Sequence, residues 1–233
     1  MINKPLSRQS ILNGHMQDLL EKNPTAMQFM PDDERHALIE KAIDESPSRE
    51  NFYVFGYGSL IWNPAMHVAD SKKALLHGYH RNFCFWSKLG RGTEQSPGLM
   101  LGLEPGSFCT GIAYRIEPDL IESEIEILFR REMISYAYKP TWVSVESEGE
   151  IIPALTFIVD PDNDRYCGAL PRKILVETIA LAKGALGRNC DYLFDLVHHL
   201  RKFDLVDEKL EEIALAVRKF QKNLPLTDPP DDG

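Results

Sequence analysis

The spacing of apolar residues changes twice along the chain. In residues 1–50 they recur with the 3.6-residue period of amphipathic helices. Ser7 is placed to cap a first helix that ends at Pro24, and Asp32 or Asp33 is placed to begin a second. The apolar positions are Ile11, Leu12, Met16, Leu19 and Leu20, then Leu38, Ile39, Ala42 and Ile43. We therefore predict an N-terminal helical extension over residues 1–50 that packs on the main domain.

From residue 52 to residue 160 the period falls to two, which is typical of strands. A first strand begins at Phe52, and residues 65–76 are predicted to be irregular or briefly helical. The sequence Pro105-Gly106-Ser107-Phe108 is predicted to be a turn between two short strands, and Glu148-Gly149-Glu150 the turn of a hairpin. The other predicted strands cover residues 78–87, 98–104, 109–116, 141–148 and 151–160.

The helical period returns from Pro171 onward and predicts three helices. Gly184 and Gly187 close the first of them, and Asn189 is a candidate cap for the second. Residues 222–233 are too rich in proline and acidic residues to order themselves. Strands followed by helices indicate an α+β fold. We predict three segments: a helical extension (1–50), a catalytic domain (51–221) and a disordered tail (222–233).

Composition narrows the possible partners. The chain of 233 residues is 43% hydrophobic and 26% charged, as in ordinary globular proteins. A formal net charge of −9 argues against nucleic acid or an anionic membrane as a partner. The same charge gives an anionic substrate no long-range attraction. Such a substrate must therefore be held by local donors.

The cysteines indicate a reducing compartment. Cys84, Cys109, Cys167 and Cys190 lie far apart and form no C-x-x-C pair, which suits free thiols in the cytoplasm. Cysteine and histidine also show no metal-site spacing. The N-terminus lacks the apolar region of a secretory signal, and the apolar runs are shorter than a membrane span. We expect a cytoplasmic protein without a metal or membrane partner.

One glycine-rich stretch carries candidate chemistry, namely residues 55–64, which read FGYGSLIWNP. It is not a dinucleotide fingerprint, because Ile61 stands where the third glycine should be and Pro64 disfavours a following helix. Gly56 and Gly58 would permit positive φ and a close approach of a ligand to the backbone. Consecutive N–H groups in such a turn can bind an anion, for which a carboxylate is well suited. A plain tight turn is the alternative.

The helix predicted over residues 119–133 carries an acidic residue on its apolar stripe. Ile121, Ile125 and Leu128 are spaced i, i+4 and i+7, and the next member of the series, at i+11, is Glu132. Partial burial and the negative end of the helix dipole would both raise the pKa of Glu132. Arg130 and Arg131 would oppose that shift. From the spacing alone, three roles are open for Glu132: a catalytic acid, a member of a buried ion pair, or a solvated residue at a frayed helix end.

Together these motifs resemble the ChaC family of γ-glutamylcyclotransferases, lyases that degrade glutathione to 5-oxoproline and cysteinylglycine. The resemblance covers residues 52–203 and rests on FGYGSLIWNP and on the Arg131-Glu132 pair followed by a tyrosine. It implies a small mixed β-barrel of about six or seven strands with helices packed outside. Both Tyr136 and Tyr138 follow Glu132, and we favour Tyr138 because a strand resumes directly after it.

The resemblance also implies roles for individual residues. Glu132 would be the general acid and base, and Tyr138 would help to orient the substrate. The γ-glutamyl head would be bound by Gly56, Tyr57, Gly58, Ser59, Leu60 and Ile61. Because the substrate's own α-amine is the nucleophile, no cofactor or metal is implied. Arg81 is a weaker candidate, for a charge contact or for holding the barrel together.

Two other functions remain open from the sequence. One is a cyclotransferase for other γ-glutamyl amines or amino acids, which uses the same chemistry on a different leaving amine. The other is a non-catalytic module that binds γ-glutamyl compounds or a protein. Glutathione is the expected small-molecule partner. The oligomeric state is left open and is compatible with a monomer.

Overall fold

The computed structural model describes residues 6–23 and 27–224, and its centre is a closed mixed barrel in the strand order β1-β3-β2-β4-β5. The strands are β1 Phe52–Gly56, β2 Asp70–Ser87, β3 Gly98–Ile116, β4 Tyr138–Ser147 and β5 Glu150–Val159. The β1–β5 pair is parallel and the other pairs are antiparallel. This confirms the predicted α+β fold with a mixed barrel. The expected six or seven barrel strands were too many, because the described chain places five in the barrel.

The difference in strand count comes from one long hairpin. The two short strands predicted on either side of residues 105–108 are a single strand, β3, and much of the stretch predicted to be irregular, 65–76, belongs to β2. The register of the pair shifts between His77 and Tyr79, and Gly78 there has φ +82°. Glycine tolerates this conformation. Gly106 and Ser107 of β3 stand opposite Gly78 alone, so β3 carries the extra residue of a bulge and pairing continues past it. The proline-containing segment is therefore accommodated within a strand.

The N-terminal extension consists of α1 (Arg8–Leu12), α2 (His15–Glu21) and α3 (Asp32–Asp44). Ser7 caps α1 by accepting a hydrogen bond from the Ser10 N–H, as predicted. The prediction of one continuous helix from the Ser7 cap to Pro24 is wrong, because Gly14 at φ +71° separates α1 from α2. Pro24, its predicted end, lies outside the described residues. Arg8 pairs with Glu124, whose side chain is 1% exposed, and thereby fixes α1 to the main domain.

Helix α4 (Ile121–Glu132) follows a 3-10 turn and packs its predicted stripe against the barrel. After the barrel come α5 (Arg172–Leu181), the short pair β6 (Lys183–Gly184) and β7 (Gly187–Arg188), α6 (Asn189–Lys202) and α7 (Glu208–Lys222). In the described part of the chain, no helix has the length and apolarity needed to cross a bilayer. The predicted tail, 222–233, overlaps α7 at Lys222, and from position 225 it lies outside the described residues.

Asn189 does not cap α6. It is the first residue of the helix, is fully buried, and directs its side-chain amide to the backbone of β3. Its Oδ1 accepts a hydrogen bond from the Leu99 N–H at 2.6 Å, and its Nδ2 donates one to the Leu99 carbonyl at 2.7 Å. The amide thus completes the hydrogen bonding of a buried strand residue and joins α6 to the barrel.

Candidate active site

The glycine-rich stretch leaves β1 at Gly56 and forms a 3-10 turn over Ser59–Ile61. The expectation of positive φ was wrong, because neither Gly56 nor Gly58 has it. The requirement at Gly56 is space, since a Cβ atom there would lie 3.0 Å from the Leu60 Cβ and 3.0 Å from the Tyr114 ring. The backbone therefore passes against packed side chains, and glycine is needed for close approach.

The turn contains backbone N–H groups that donate no hydrogen bond to any described residue. Among the described residues, none accepts a hydrogen bond from the N–H of Gly58, Ser59 or Leu60. The turn itself is held by the Tyr114 hydroxyl, which donates to the Leu60 carbonyl at 2.9 Å. Consecutive free N–H groups at a fixed turn are suited to an anion such as a carboxylate.

Helix α4 ends at Glu132, which lies next to this turn. The Glu132 side chain is 18% exposed, and its Oε1 lies 2.9 Å from the Arg131 Nε. The N–H is not aligned for a hydrogen bond, and no other described group donates one to Oε1. Burial raises the pKa of Glu132, and the Arg131 charge only partly opposes this effect. The carboxylate is therefore a stronger base than one in water.

Arg131 connects the acid to the turn. It is buried, its Nη2 donates to the Ser59 Oγ at 2.8 Å, and its Nη1 donates to the Asn63 carbonyl. The same guanidinium thus contacts Glu132 and both ends of the segment that follows Gly58.

A small cavity adjoins Glu132 and is walled by the turn and by three tyrosines. Its lining is Tyr57, Gly58, Ser59, Leu60, Met100, Leu101, Glu132, Tyr138, Phe157 and Tyr192. The hydroxyls of Tyr57 and Tyr138 donate to the carbonyls of Phe157 and Leu101, at 2.9 and 2.8 Å. Burial raises the pKa of all three phenols, so they stay neutral near pH 7. Each hydroxyl keeps its capacity to accept a hydrogen bond.

The predicted site residues divide into two groups. Six of them, Tyr57, Gly58, Ser59, Leu60, Glu132 and Tyr138, line the small cavity. Gly56 and Ile61 lie behind it in the core and shape the turn. Tyr136 points elsewhere and donates to the Glu34 carboxylate at 2.7 Å. The functional roles of these residues stay predictions.

A large cavity shares Glu132, Ser59 and Tyr138 with the small one and adds three cationic residues, Arg91, Arg131 and Arg165. The Arg165 guanidinium lies 4.5 Å from the centroid of the Phe85 ring, and its Nη2 donates to the Ser135 Oγ. That of Arg91 lies 5.5 Å from the centroid of the Tyr192 ring. Glu132 therefore lies where a donor-rich cavity meets a cationic one.

Sequence reasoning missed Arg91 and Arg165, because each lies in a polar loop with no periodic pattern. Arg81 does not line either cavity. Its Nη1 donates to the Tyr57 carbonyl at 2.7 Å, and its Nε lies 3.1 Å from the Asp207 carboxylate before α7. These contacts favour a structural role for Arg81, in which it holds the barrel together, over a charge contact with the substrate.

The mixed barrel with its outer helices is a γ-glutamylcyclotransferase-type fold. A crystal structure of a selenomethionine-labelled γ-glutamyl cyclotransferase specific to glutathione from yeast matches it with a TM-score of 0.68, at 23% identity, over 74% of this chain and 97% of the other. The model of the ChaC-like protein family matches residues 52–220. The chain therefore belongs to the ChaC-like family.

Curated relatives agree with that assignment. The chain is 37% identical over 195 residues to the glutathione-specific gamma-glutamylcyclotransferase of Escherichia coli (strain K12), which covers 83% of this chain and 84% of the relative. It is 29% identical over 172 residues to the human glutathione-specific gamma-glutamylcyclotransferase 1, covering 71% and 78% of the two chains. It is 32% identical over 177 residues to gamma-glutamylcyclotransferase 2-3 of Arabidopsis thaliana, covering 71% and 88%.

Proposed function

We propose that this chain is a lyase that cleaves glutathione into 5-oxoproline and cysteinylglycine. Its family membership and the names of its relatives support this activity. The observation that carries the proposal is the position of Glu132, a largely buried carboxylate with a raised pKa. It lines both the cavity with the free backbone N–H groups and the cavity with the guanidinium groups of Arg91, Arg131 and Arg165.

The reaction is an intramolecular displacement. The α-amine of the γ-glutamyl residue attacks its own γ-carbonyl, a five-membered lactam closes, and the C–N bond to cysteine breaks. The α-ammonium loses a proton and the departing amine gains one. Holding the tethered amine in the attacking conformation is worth up to ~7–11 kcal/mol in favourable cases. One carboxyl group that moves the proton adds a factor of roughly 10²–10⁴.

The small cavity suits the γ-glutamyl head. The N–H groups of Gly58, Ser59 and Leu60 would hold its α-carboxylate, and Glu132 would face the α-ammonium. Because the hydroxyls of Tyr57 and Tyr138 already donate to backbone carbonyls, they would act on the substrate as acceptors of N–H groups. The backbone N–H groups, the Glu132 carboxylate and the tyrosine hydroxyls together would align the α-amine with the γ-carbonyl.

The large cavity suits the leaving dipeptide. Arg91 and Arg165 would face its terminal carboxylate. This local charge matters because the chain as a whole is anionic, with a net charge of −9. We place the reaction in the catalytic unit 51–221, which the family match nearly spans. We also propose a cytoplasmic location, since all four cysteines are free.

Incubating the purified chain with glutathione tests the proposal. We expect 5-oxoproline and cysteinylglycine to appear in equal amounts. Parallel reactions with γ-glutamylalanine and a γ-glutamylamine measure the selectivity for the leaving amine. Equal turnover of all three substrates would indicate a general cyclotransferase. Binding of glutathione without release of 5-oxoproline would indicate the non-catalytic module.

The pH profile of kcat/KM is expected to respond to Arg131. Glu132 must be ionised to accept the first proton, so kcat/KM falls as the pH drops through its pKa. The Arg131 charge lowers that pKa. In Arg131→Gln the acid limb should therefore move to higher pH, whereas Arg131→Lys, which keeps the charge, should move it less. Initial rates between pH 4 and pH 8 measure the shift.

The neighbouring residue provides a matched control. Arg130 pairs with Glu126 through its Nε at 2.5 Å and lines neither cavity. Arg130→Gln should leave the acid limb unchanged. An Arg131→Gln variant that remains folded and keeps the wild-type limb would contradict the assignment of Glu132 as the base.

A further inference from the structure

The N-terminal extension supplies part of the wall of the large cavity. Leu6, Met16 and Met27 line that cavity, and none of the described residues of the extension, 6–23 and 27–50, lines the small one. The match to the family model begins only at residue 52, so this wall is built by residues outside it. The extension therefore contacts one half of the site and leaves the other half to the barrel.

This wall is held in place at both of its edges. The Asn63 side chain donates to the Leu6 carbonyl at 2.7 Å, and the Met30 N–H donates to the Ile134 carbonyl at 3.0 Å. Leu20 packs against Leu89 in one apolar cluster, which Met16, Leu19, Met27, Phe29 and Ile134 join. The extension thus spans from the loop after β2 to the segment after α4.

Met27 also contacts a cationic residue of the cavity. Its Sδ lies 3.6 Å from the Arg165 Nη1, which donates to it. Methionine side chains are flexible and polarisable and adapt to irregular apolar surfaces. A cavity whose wall places a thioether beside a guanidinium group fits a small molecule that carries an apolar or thiol side chain next to a carboxylate.

We propose that Met16 and Met27 are contact residues for the leaving half of the substrate, so that the extension sets the affinity for the leaving dipeptide. The inference rests on the proposed function, because it identifies the leaving group as a cysteine-containing dipeptide. Contacts to that half are present before and during the reaction, and neither methionine lines the small cavity in which the proposed lactam closes. Loss of such contacts weakens substrate binding without slowing the chemical step.

The test is the steady-state kinetics of glutathione cleavage by the full chain. We expect the double variant Met16→Ala/Met27→Ala to raise KM about tenfold, with kcat within about twofold of wild type. Met16→Leu/Met27→Leu, which keeps most of the apolar volume, should restore much of the loss. Leu12→Ala is the matched control, because Leu12 belongs to the same extension, is 46% exposed and does not line the cavity.

The outcomes separate this inference from the proposed function. An active double variant with unchanged KM overturns the inference and leaves the function intact. A fall in kcat at constant KM also overturns it, because the extension would then act on the catalytic geometry. If the wild-type chain releases no 5-oxoproline from glutathione, the proposed function fails and the inference fails with it.

Discussion

Glu132→Gln is expected to lower the release of 5-oxoproline from glutathione by roughly 10²–10⁴-fold. The amide has nearly the shape of the carboxylate, but it cannot take a proton from the α-ammonium or return one to the departing amine. The fold should persist, since the substitution removes a charge whose burial is unfavourable. Single-turnover measurement of 5-oxoproline gives the rate, and calorimetric titration gives the retained affinity for glutathione.

Glu126→Gln is the control for this result. Glu126 lies on the same helix, pairs with Arg130 and lines neither cavity, so its loss should leave the rate unchanged. A Glu132→Gln enzyme with near wild-type turnover would remove Glu132 from the mechanism. The free N–H groups of the turn would then have to act with another base.

Asn189→Ala is expected to lower the free energy of unfolding by about 2–4 kcal/mol. The substitution leaves the Leu99 N–H and carbonyl without their side-chain partner inside the protein, and each unsatisfied buried group costs about 1–3 kcal/mol. For a chain of this size the melting temperature should fall by roughly 5–15 °C. Thermal and urea unfolding followed by circular dichroism measure both quantities.

Asn13→Ala is the matched substitution at the surface. Asn13 is exposed and accepts a hydrogen bond from the Gln9 side chain at 2.9 Å, so we expect a change within about 0.5 kcal/mol. If Asn189→Ala proved as stable as Asn13→Ala, the amide would not be needed to join α6 to the barrel.

Sequence patterns correctly predicted the elements that are determined by residues close together in the sequence. The β4–β5 hairpin follows from its turn, where Glu148 and Gly149 have φ of +53° and +84°, as expected of a tight two-residue connection. The stripe that ends at Glu132 likewise follows from spacing along one helix. The long β2–β3 hairpin did not, because the bulge opposite Gly78 is defined only by the pairing of the two strands. Asn189 has the preference of a cap, but its partners are 90 residues away in the sequence.

The site shows the same division. The glycine-rich turn and Glu132 belong to short recognisable stretches, so sequence reasoning selected them before any fold was known. The sequence assigned Arg91, Arg165 and Tyr192 no role in a site, because only the closure of the barrel and the packing of α6 bring them to the cavities. Met16 is an ordinary apolar position of a predicted helix, and Met27 belongs to no predicted pattern. Their neighbours, not their spacing, make them candidates for contact with a ligand.

A single guanidinium, that of Arg131, serves two parts of the site at once. It anchors the turn through Ser59 and Asn63, and it sets the charge beside Glu132. A substitution of Arg131 therefore changes both the binding of the substrate by the turn and the pKa of Glu132. To change the basicity of Glu132 without changing the turn, a variant must place a different cationic residue beside Glu132 and leave Arg131 in place.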